Sequence, residues 1–321
     1  MWQRPSIEDR AEGVATFAVL DRRIAWCGRS ARPGAPQNGC HVVLDGRMKI
    51  ALYGLHRGSS ADPETMARRA RRAEELGFEG LWVGDHIALP ADGSDPPEQP
   101  RIEAVVALAH LAALTDRIGL GFGVIVLPQR QPVLLAKQVA SIDHLSGGRV
   151  TLGVGVGYVE AELRALGASL ADRAARTDEY LAVVRALWAS TPSFSGQFVS
   201  FDDVVQRPQP VQRPHPPVVV GGGTAAAFRR AARSGNGWYG WELSPEQAAE
   251  AISAIGAAGP RPAELGALEV SITPRAPLDL ELVHRYADAG VHRLVVQPST
   301  MDGTEIDDLI ESTGEQIIAH L

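Results

Sequence analysis

Lys49-Ile50-Ala51-Leu52-Tyr53, then Asp62-Pro63 ahead of a helix-period run to Leu76, then Gly77 and the apolar Gly80-Leu81-Trp82-Val83, spell a strand, a crossover helix and a second strand. Asp62 is a helix cap, Pro63 suits a first turn, and Gly77 ends the helix. Strands separated by a helix-length connection pair in parallel. The same alternation continues to the C-terminus. Further strands are expected at residues 118–127, 150–154, 218–220, near Trp238, at 268–272 and at 292–296. The matching helices are expected at 101–115, 132–145, 159–166 with 173–189, 224–233, 245–255, 278–288 and 305–320. A Pro- and Gln-rich insertion, residues 191–217, lies between the fourth helix and the fifth strand. Several strands are apolar throughout, which suits burial on both faces. Eight such units without a linker predict an α/β fold, a single-domain (β/α)8 barrel over residues 48–321. A doubly wound sheet would alternate too, but eight units fit closure better.

Residues 1–47 lack any sustained period and carry Arg32-Pro33-Gly34-Ala35-Pro36-Gln37-Asn38-Gly39. They are expected to be a disordered extension, or sequence upstream of the natural-looking start Met48-Lys49-Ile50. A hairpin of residues 23–26 with 41–44 is the structured alternative. Removing residues 1–47 is expected to leave folding and cofactor binding intact. A charge of −7 lacks the basic footprint of nucleic-acid binding, and 45% hydrophobic with 21% charged residues is ordinary for a globular chain. No apolar run reaches the roughly 18 residues of a membrane span, and no secretory signal is recognisable. Both cysteines, Cys27 and Cys40, precede Met48, so the expected barrel has neither a disulfide framework nor a cysteine nucleophile. A cytoplasmic location is the expectation.

Chemistry in such barrels sits at the C-terminal strand ends. The second strand ends in Gly84-Asp85-His86, pairing an acceptor with the side chain that titrates near neutrality. His86 there could exchange a proton with a substrate, or the two could be a loop cap and a loop histidine. Strand three carries Gly119, Gly121 and Gly123 at alternate positions, and strand four carries Gly153, Gly155 and Gly157. Bare alternate positions relieve crowding inside a barrel or admit a flat ring, and two adjacent strands with this device favour the ring. Neither completes a dinucleotide fingerprint. Gly221-Gly222-Gly223-Thr224 precedes a helix, so exposed amides and a capping hydroxyl could hold an anion. A capped turn is the plain alternative. Arg68, Arg69, Arg71 and Arg72 are expected on a solvated face. Arg229 and Arg230 lie near the glycine loop, with surface placement expected. His110 and His144 are expected to be structural. No cluster has metal-ligand spacing.

These elements together resemble the luciferase-like family, in particular its deazaflavin-dependent branch. The resemblance rests on Glu74 to His86, the strand Ile118 to Pro128, Gln138 to Arg149 leading into the Gly-Val-Gly strand, and Arg176-Thr177-Asp178-Glu179-Tyr180. Leu187-Trp188, Gln209 to Pro214, the triple glycine and Gly235-Asn236-Gly237-Trp238 complete it. It implies an isoalloxazine-type ring over Gly123, Val124, Gly155 and Val156, with a non-proline cis peptide at Gly123–Val124. It implies Asp85 and His86 facing the cofactor, His86 as acid or base, and a cofactor phosphate on Gly221, Gly222, Gly223 and Thr224.

Two departures shape the expected chemistry. Luciferases proper hold the flavin phosphate with an arginine where Val156 stands here, which favours coenzyme F420 over FMN. A deazaflavin lacks the nitrogen through which flavins activate oxygen, so hydride transfer is the implied reaction. The alternatives are an FMN-dependent monooxygenase and a cofactor-binding protein without catalysis. The barrel's two lysines, Lys49 and Lys137, both lie early, which argues against a sugar-phosphate substrate. Helix two is apolar nearly all round through Val105, Val106, Leu108, Ala109, Leu111, Ala112 and Leu114, and helix three is similarly rich. A barrel helix needs one apolar stripe, so a homodimer through these helices is expected. A covering loop, residues 89–100, is the alternative.

Overall fold

The computed structural model describes residues 47–91, 99–300 and 302–321; the expectations for residues 1–46 and for most of the loop 89–100 lie outside them. The chain runs β1 (Lys49–Tyr53), α1 (Pro63–Glu75), β2 (Gly80–Val83), α2 (Ala104–Leu114), β3 (Gly119–Phe122), β4 (Ile125–Val126), α3 (Pro132–Ser146) and β5 (Val150–Gly155). It continues through α4 (Glu160–Ala165), α5 (Arg173–Trp188), a small antiparallel pair β6 (Phe194–Ser195) and β7 (Ser200–Phe201), then β8 (Val218–Gly221), α6 (Ala225–Ser234) and β9 (Gly237–Leu243). α7 (Pro245–Ala257), β10 (Glu269–Pro274), α8 (Leu280–Asp288), β11 (Arg293–Val296) and α9 (Gly303–Gln316) complete it.

Parallel neighbours run β3-β2-β1-β11-β10-β9-β8-β5, and β5 returns to β3 with Leu120 opposite Val150. The sheet is therefore closed: a (β/α)8 barrel. β4 continues the path of β3 against the upper part of β5, so the single third strand expected from sequence is two pieces. The Gly123–Val124 peptide between them is cis. The local signals worked as read. Asp62 accepts from the Thr65 amide at 2.9 Å beside Pro63. Ser244 and Gln247 form a reciprocal capping box on α7.

Strand side chains alternate between two cores. Outward-facing Leu52, Leu81, Leu120, Leu152 and Leu294 pack under the helices, each fully buried and worth about 1.5–3 kcal/mol. Inward-facing Ala51, Tyr53, Trp82, Val219, Tyr239 and Val295 fill the barrel. This corrects the reading of the alternate glycines. A Cβ on Gly121 would lie 2.5 Å from the Trp82 indole, and one on Gly123 2.9 Å from the same ring. On β5, a Cβ at Gly153 would lie 1.8 Å from the Phe122 carbonyl. Those bare positions are filled by the protein itself, so crowding, not a flat gap, explains them.

At the N-terminal end the barrel is closed by charge. Arg293, 5% exposed, meets Glu79 Oε1 at 2.7 Å, Glu269 Oε2 at 3.0 Å and Ser271 Oγ at 3.0 Å, with its guanidinium 5.5 Å over the Trp82 ring. Lys49 adds a 2.6 Å contact to Glu269. Burial alone would raise the Glu269 carboxyl, but Arg293 and Lys49 outweigh it and hold that group below the ordinary carboxylate range.

Two arginines expected at the surface are buried. Arg69 is 2% exposed and donates to Asp307, Ser59, Ser60 and the Gly303 carbonyl, tying α1 to α9. Arg230 is 7% exposed and pairs with Asp178 at 2.6 Å, tying α6 to α5. Interior helix positions gave both a polar partner that spacing could not show. The insertion after α5 is pinned, not loose. Glu179 accepts from the Gln197, Phe198 and Val199 amides, and buried Asp143 accepts from Val211, Gln212 and the Gln212 side chain.

Candidate active site

The C-terminal strand ends converge on one mouth. Tyr53, at the end of β1, reaches under β2 so closely that a Cβ on Gly84 would sit 2.0 Å from its hydroxyl. Only glycine fits there. The Gly84 amide donates to His56 Nε2 at 3.3 Å, so the proton of the neutral ring is on Nδ1, which has no hydrogen-bond partner among the described residues. Burial, with Arg57, Arg101 and His86 nearby, pushes His56 down to about 3. His56 is thus a neutral imidazole near neutral pH.

The adjacent pair at the end of β2 divides. Asp85 is 4% exposed, and its carboxylate accepts from the Val126 amide at 3.0 Å and from Arg130 through Nε at 3.1 Å and Nη2. It braces β4 and the turn after it, so the expectation that its carboxylate faces a cofactor meets a group already engaged by protein donors. His86 is the member left toward the mouth. Its Nδ1 lies 3.1 Å from Glu162 Oε2, and its ring stands edge-on to Tyr158 at 6.0 Å. Glu162, on α4, is 2% exposed and also accepts from the Ile87 amide at 2.5 Å and the Ala88 amide at 3.2 Å. Burial would raise the Glu162 carboxyl, but His86 and those two amides outweigh it and leave it below the usual range.

Across the mouth, Val124 connects the expected cofactor residues. A Cβ on Gly155 would lie 2.6 Å from its Cγ2, and one on Gly221 2.9 Å from its Cγ1. Gly123, Val124, Gly155 and Gly221 are therefore brought together, with half-buried Val156 next to them. Gly222 has φ +114°, and its carbonyl accepts from the Trp238 indole at 2.9 Å. A Cβ on Gly223 would meet nothing within 4 Å. Thr224 caps α6 through Ala227, while the first-turn amides of Ala225 and Ala226 have no carbonyl four residues back. This open loop suits an anionic group such as a cofactor phosphate.

The rim is apolar. Ile87, Tyr158 and Trp241 are 41%, 71% and 42% exposed, and Trp241 packs edge-on against Tyr53 at 5.2 Å. Beside it, a cavity of about 740 Å³ between β9–β11 and α9 is lined by Arg57, Trp241, Glu242, Arg275 and Gln297 among others. Gln297 donates to Glu242 at 3.1 Å and accepts from Arg57 at 3.4 Å.

Sequence reasoning missed Glu162, His56 and the Tyr53–Trp241 pair. Glu160 and Glu162 read as ordinary acidic residues in a first helical turn. Only the fold, which brings α4 to the loop after β2, shows that Glu162 meets His86.

Fold and strand ends define the class: a (β/α)8 barrel with a carboxylate-held histidine just after β2 and a glycine loop at the start of α6. Residues 48–278 match the family model described as luciferase-like monooxygenase, and the chain belongs to that family. An uncharacterized Mycobacterium tuberculosis protein is 31% identical over 78% of this chain and 93% of its own length. The FMNH(2)-dependent dimethylsulfone monooxygenase of Pseudomonas putida is 31% identical over 59% of this chain and 52% of its own. The structure of an F420-dependent secondary alcohol dehydrogenase bound to an F420-acetone adduct shares the fold, with TM-score 0.70 and 17% identity over 85% of this chain and 99% of that one.

Proposed function

We propose that the protein is an oxidoreductase that transfers hydride between coenzyme F420 and a small organic substrate in the cytoplasm. The observation that carries this reading is His86, held by Glu162 just after the C-terminal end of β2, in a barrel whose Gly221–Gly223 loop leads into the start of α6. Coenzyme F420 supplies the hydride chemistry when bound. Gly123, Val124, Gly155 and Val156 would border its ring, and Gly221, Gly222, Gly223 and Thr224 would take its phosphate. His86 gives the balancing proton to a carbonyl substrate, or takes it from an alcohol in the reverse direction. The apolar rim of Ile87, Tyr158 and Trp241 suits a substrate with an apolar body. Val156, standing where luciferases proper place an arginine, favours the deazaflavin. The Pseudomonas relative favours FMN and keeps an FMN-dependent monooxygenase as the second reading. Fluorescence titration with each cofactor separates them. Roughly micromolar affinity for F420 with weaker FMN binding is expected, and the opposite order would transfer the proposal to the monooxygenase.

A homodimer is part of this proposal. Much of the apolar girdle of α2 is buried within the subunit, but Val106, Leu134 and Leu145 are 59%, 56% and 74% exposed on α2 and α3. Light scattering after size exclusion is expected to give twice the 34.2 kDa of one chain. A mass of one chain at micromolar concentration would remove the dimer. Among the described residues, no helix is long and apolar enough to cross a membrane.

A further inference from the structure

We infer that Glu162 acts as a positioning residue that fixes the proton of His86 on Nδ1, making Nε2 the nitrogen that exchanges protons at the mouth. This rests on the role proposed for His86, and it adds a residue that the reaction needs but that would not touch substrate.

The argument is one of donor count. An ionised carboxylate accepts and never donates. Glu162 takes the Ile87 and Ala88 amides on Oε1 and faces His86 Nδ1 with Oε2 at 3.1 Å. Nδ1 must therefore be the donor, and a neutral His86 keeps its lone pair on Nε2. His56 reaches the same tautomer from the other side, since the Gly84 amide claims Nε2 and leaves the proton on an Nδ1 without a partner among the described residues, so its lone pair is already taken while that of His86 is free of such a claim. Two imidazoles at one mouth thus have separate assignments, one held neutral and one held for proton exchange. Tyr158 stands edge-on to the His86 ring, and the Asp85–Arg130 pair is engaged next to it. Glu162 is the carboxylate that addresses the ring.

Glu162→Gln gives a sharp test, because its amide cannot satisfy both sides as the carboxylate does. The Ile87 and Ala88 amides need an acceptor, so the glutamine turns its oxygen toward them. Its NH₂ then points at His86 Nδ1 and forces the proton to Nε2. Imidazole ¹⁵N shifts of the full-length, histidine-labelled protein at mildly alkaline pH read this directly, with His86→Gln assigning the signal. The wild type is expected to show the Nδ1–H form and Glu162→Gln the Nε2–H form, with the unfolding midpoint nearly unchanged. An Nε2–H wild type, or a tautomer unmoved in Glu162→Gln, would overturn the inference. If the variant fails to fold, the wild-type tautomer alone decides. Since the readout needs no cofactor, it stays separable from the cofactor titration that tests the proposed function. In turnover, Glu162→Gln is expected to lower kcat on the order of 10²-fold with KM little changed, and to add nothing in a His86→Ala background.

Discussion

His86→Ala is expected to lower turnover by about 10²–10⁴-fold, the usual cost of losing a general acid or base, while cofactor affinity stays close to that of the wild type. The split follows from where the ring sits. His86 is held from behind by Glu162 and is edge-on to Tyr158. The groups that would bind the cofactor, Val124 with Gly155 and Gly221 and the open loop after it, belong to other strands. Turnover followed at the deazaflavin absorbance, alongside fluorescence titration of the same variant, separates the two quantities. An unchanged rate would reduce His86 to a loop residue. A parallel loss of cofactor affinity would place it in the binding site instead.

The largest stability effect is expected at the opposite end of the barrel. Arg293→Met leaves half-buried Glu269, still met by Lys49, and half-buried Glu79 with no guanidinium between them. Breaking one side of a fully buried pair costs about 3–5 kcal/mol, and the partial exposure of both carboxylates with the surviving Lys49 contact places this variant at the lower end, about 3 kcal/mol. For a domain of this size that is a fall in Tm on the order of 10 °C. Thermal and urea unfolding measure it, and a loss under about 1 kcal/mol would show that the network is relaxed by solvent. Adding Glu269→Gln to Arg293→Met is expected to recover part of the loss. The sign with pH follows from Glu269, whose folded carboxyl lies below its ordinary value. Its contribution is full above the ordinary carboxylate range and is lost as pH falls through the depressed value. The wild type should therefore lose stability in acid over a window that the double variant lacks.

The fold was legible because its signals are local. Periodicity located all eight strand-helix units, and Asp62-Pro63 and Gly77 marked the ends of the first helix. The motifs that carry the family resemblance proved to be largely scaffold. Glu74 accepts from the Arg117 and Ile118 amides, Glu79 pairs with Arg293, and Gly84 yields room to Tyr53. Arg149 donates to carbonyls of Ala112, Thr115, Ile118 and Ser146, locking the end of α2 to the foot of β3. Asp143 and Gln212, in separate motifs, bond each other. What the sequence concealed were contacts between distant segments. Glu162 looks like a helix-start acid, Asp85 like a partner of its neighbour His86, and Arg69 like a surface charge. Each acquires its role from an element dozens of residues away, and no periodicity encodes that. The split of strand three escaped for a different reason, since β3 and β4 form one continuous apolar run.

The barrel's interior gives one strand's bulk to another. Trp82 on β2 occupies the space in which Gly121 and Gly123 on β3 would carry side chains. Size is therefore a property of the layer and not of the single position. Across the lineage of this barrel, a smaller residue at position 82 should travel with a larger one at 121 or 123, since either change alone opens a void or forces a clash. The two strands can drift in identity, but only in step.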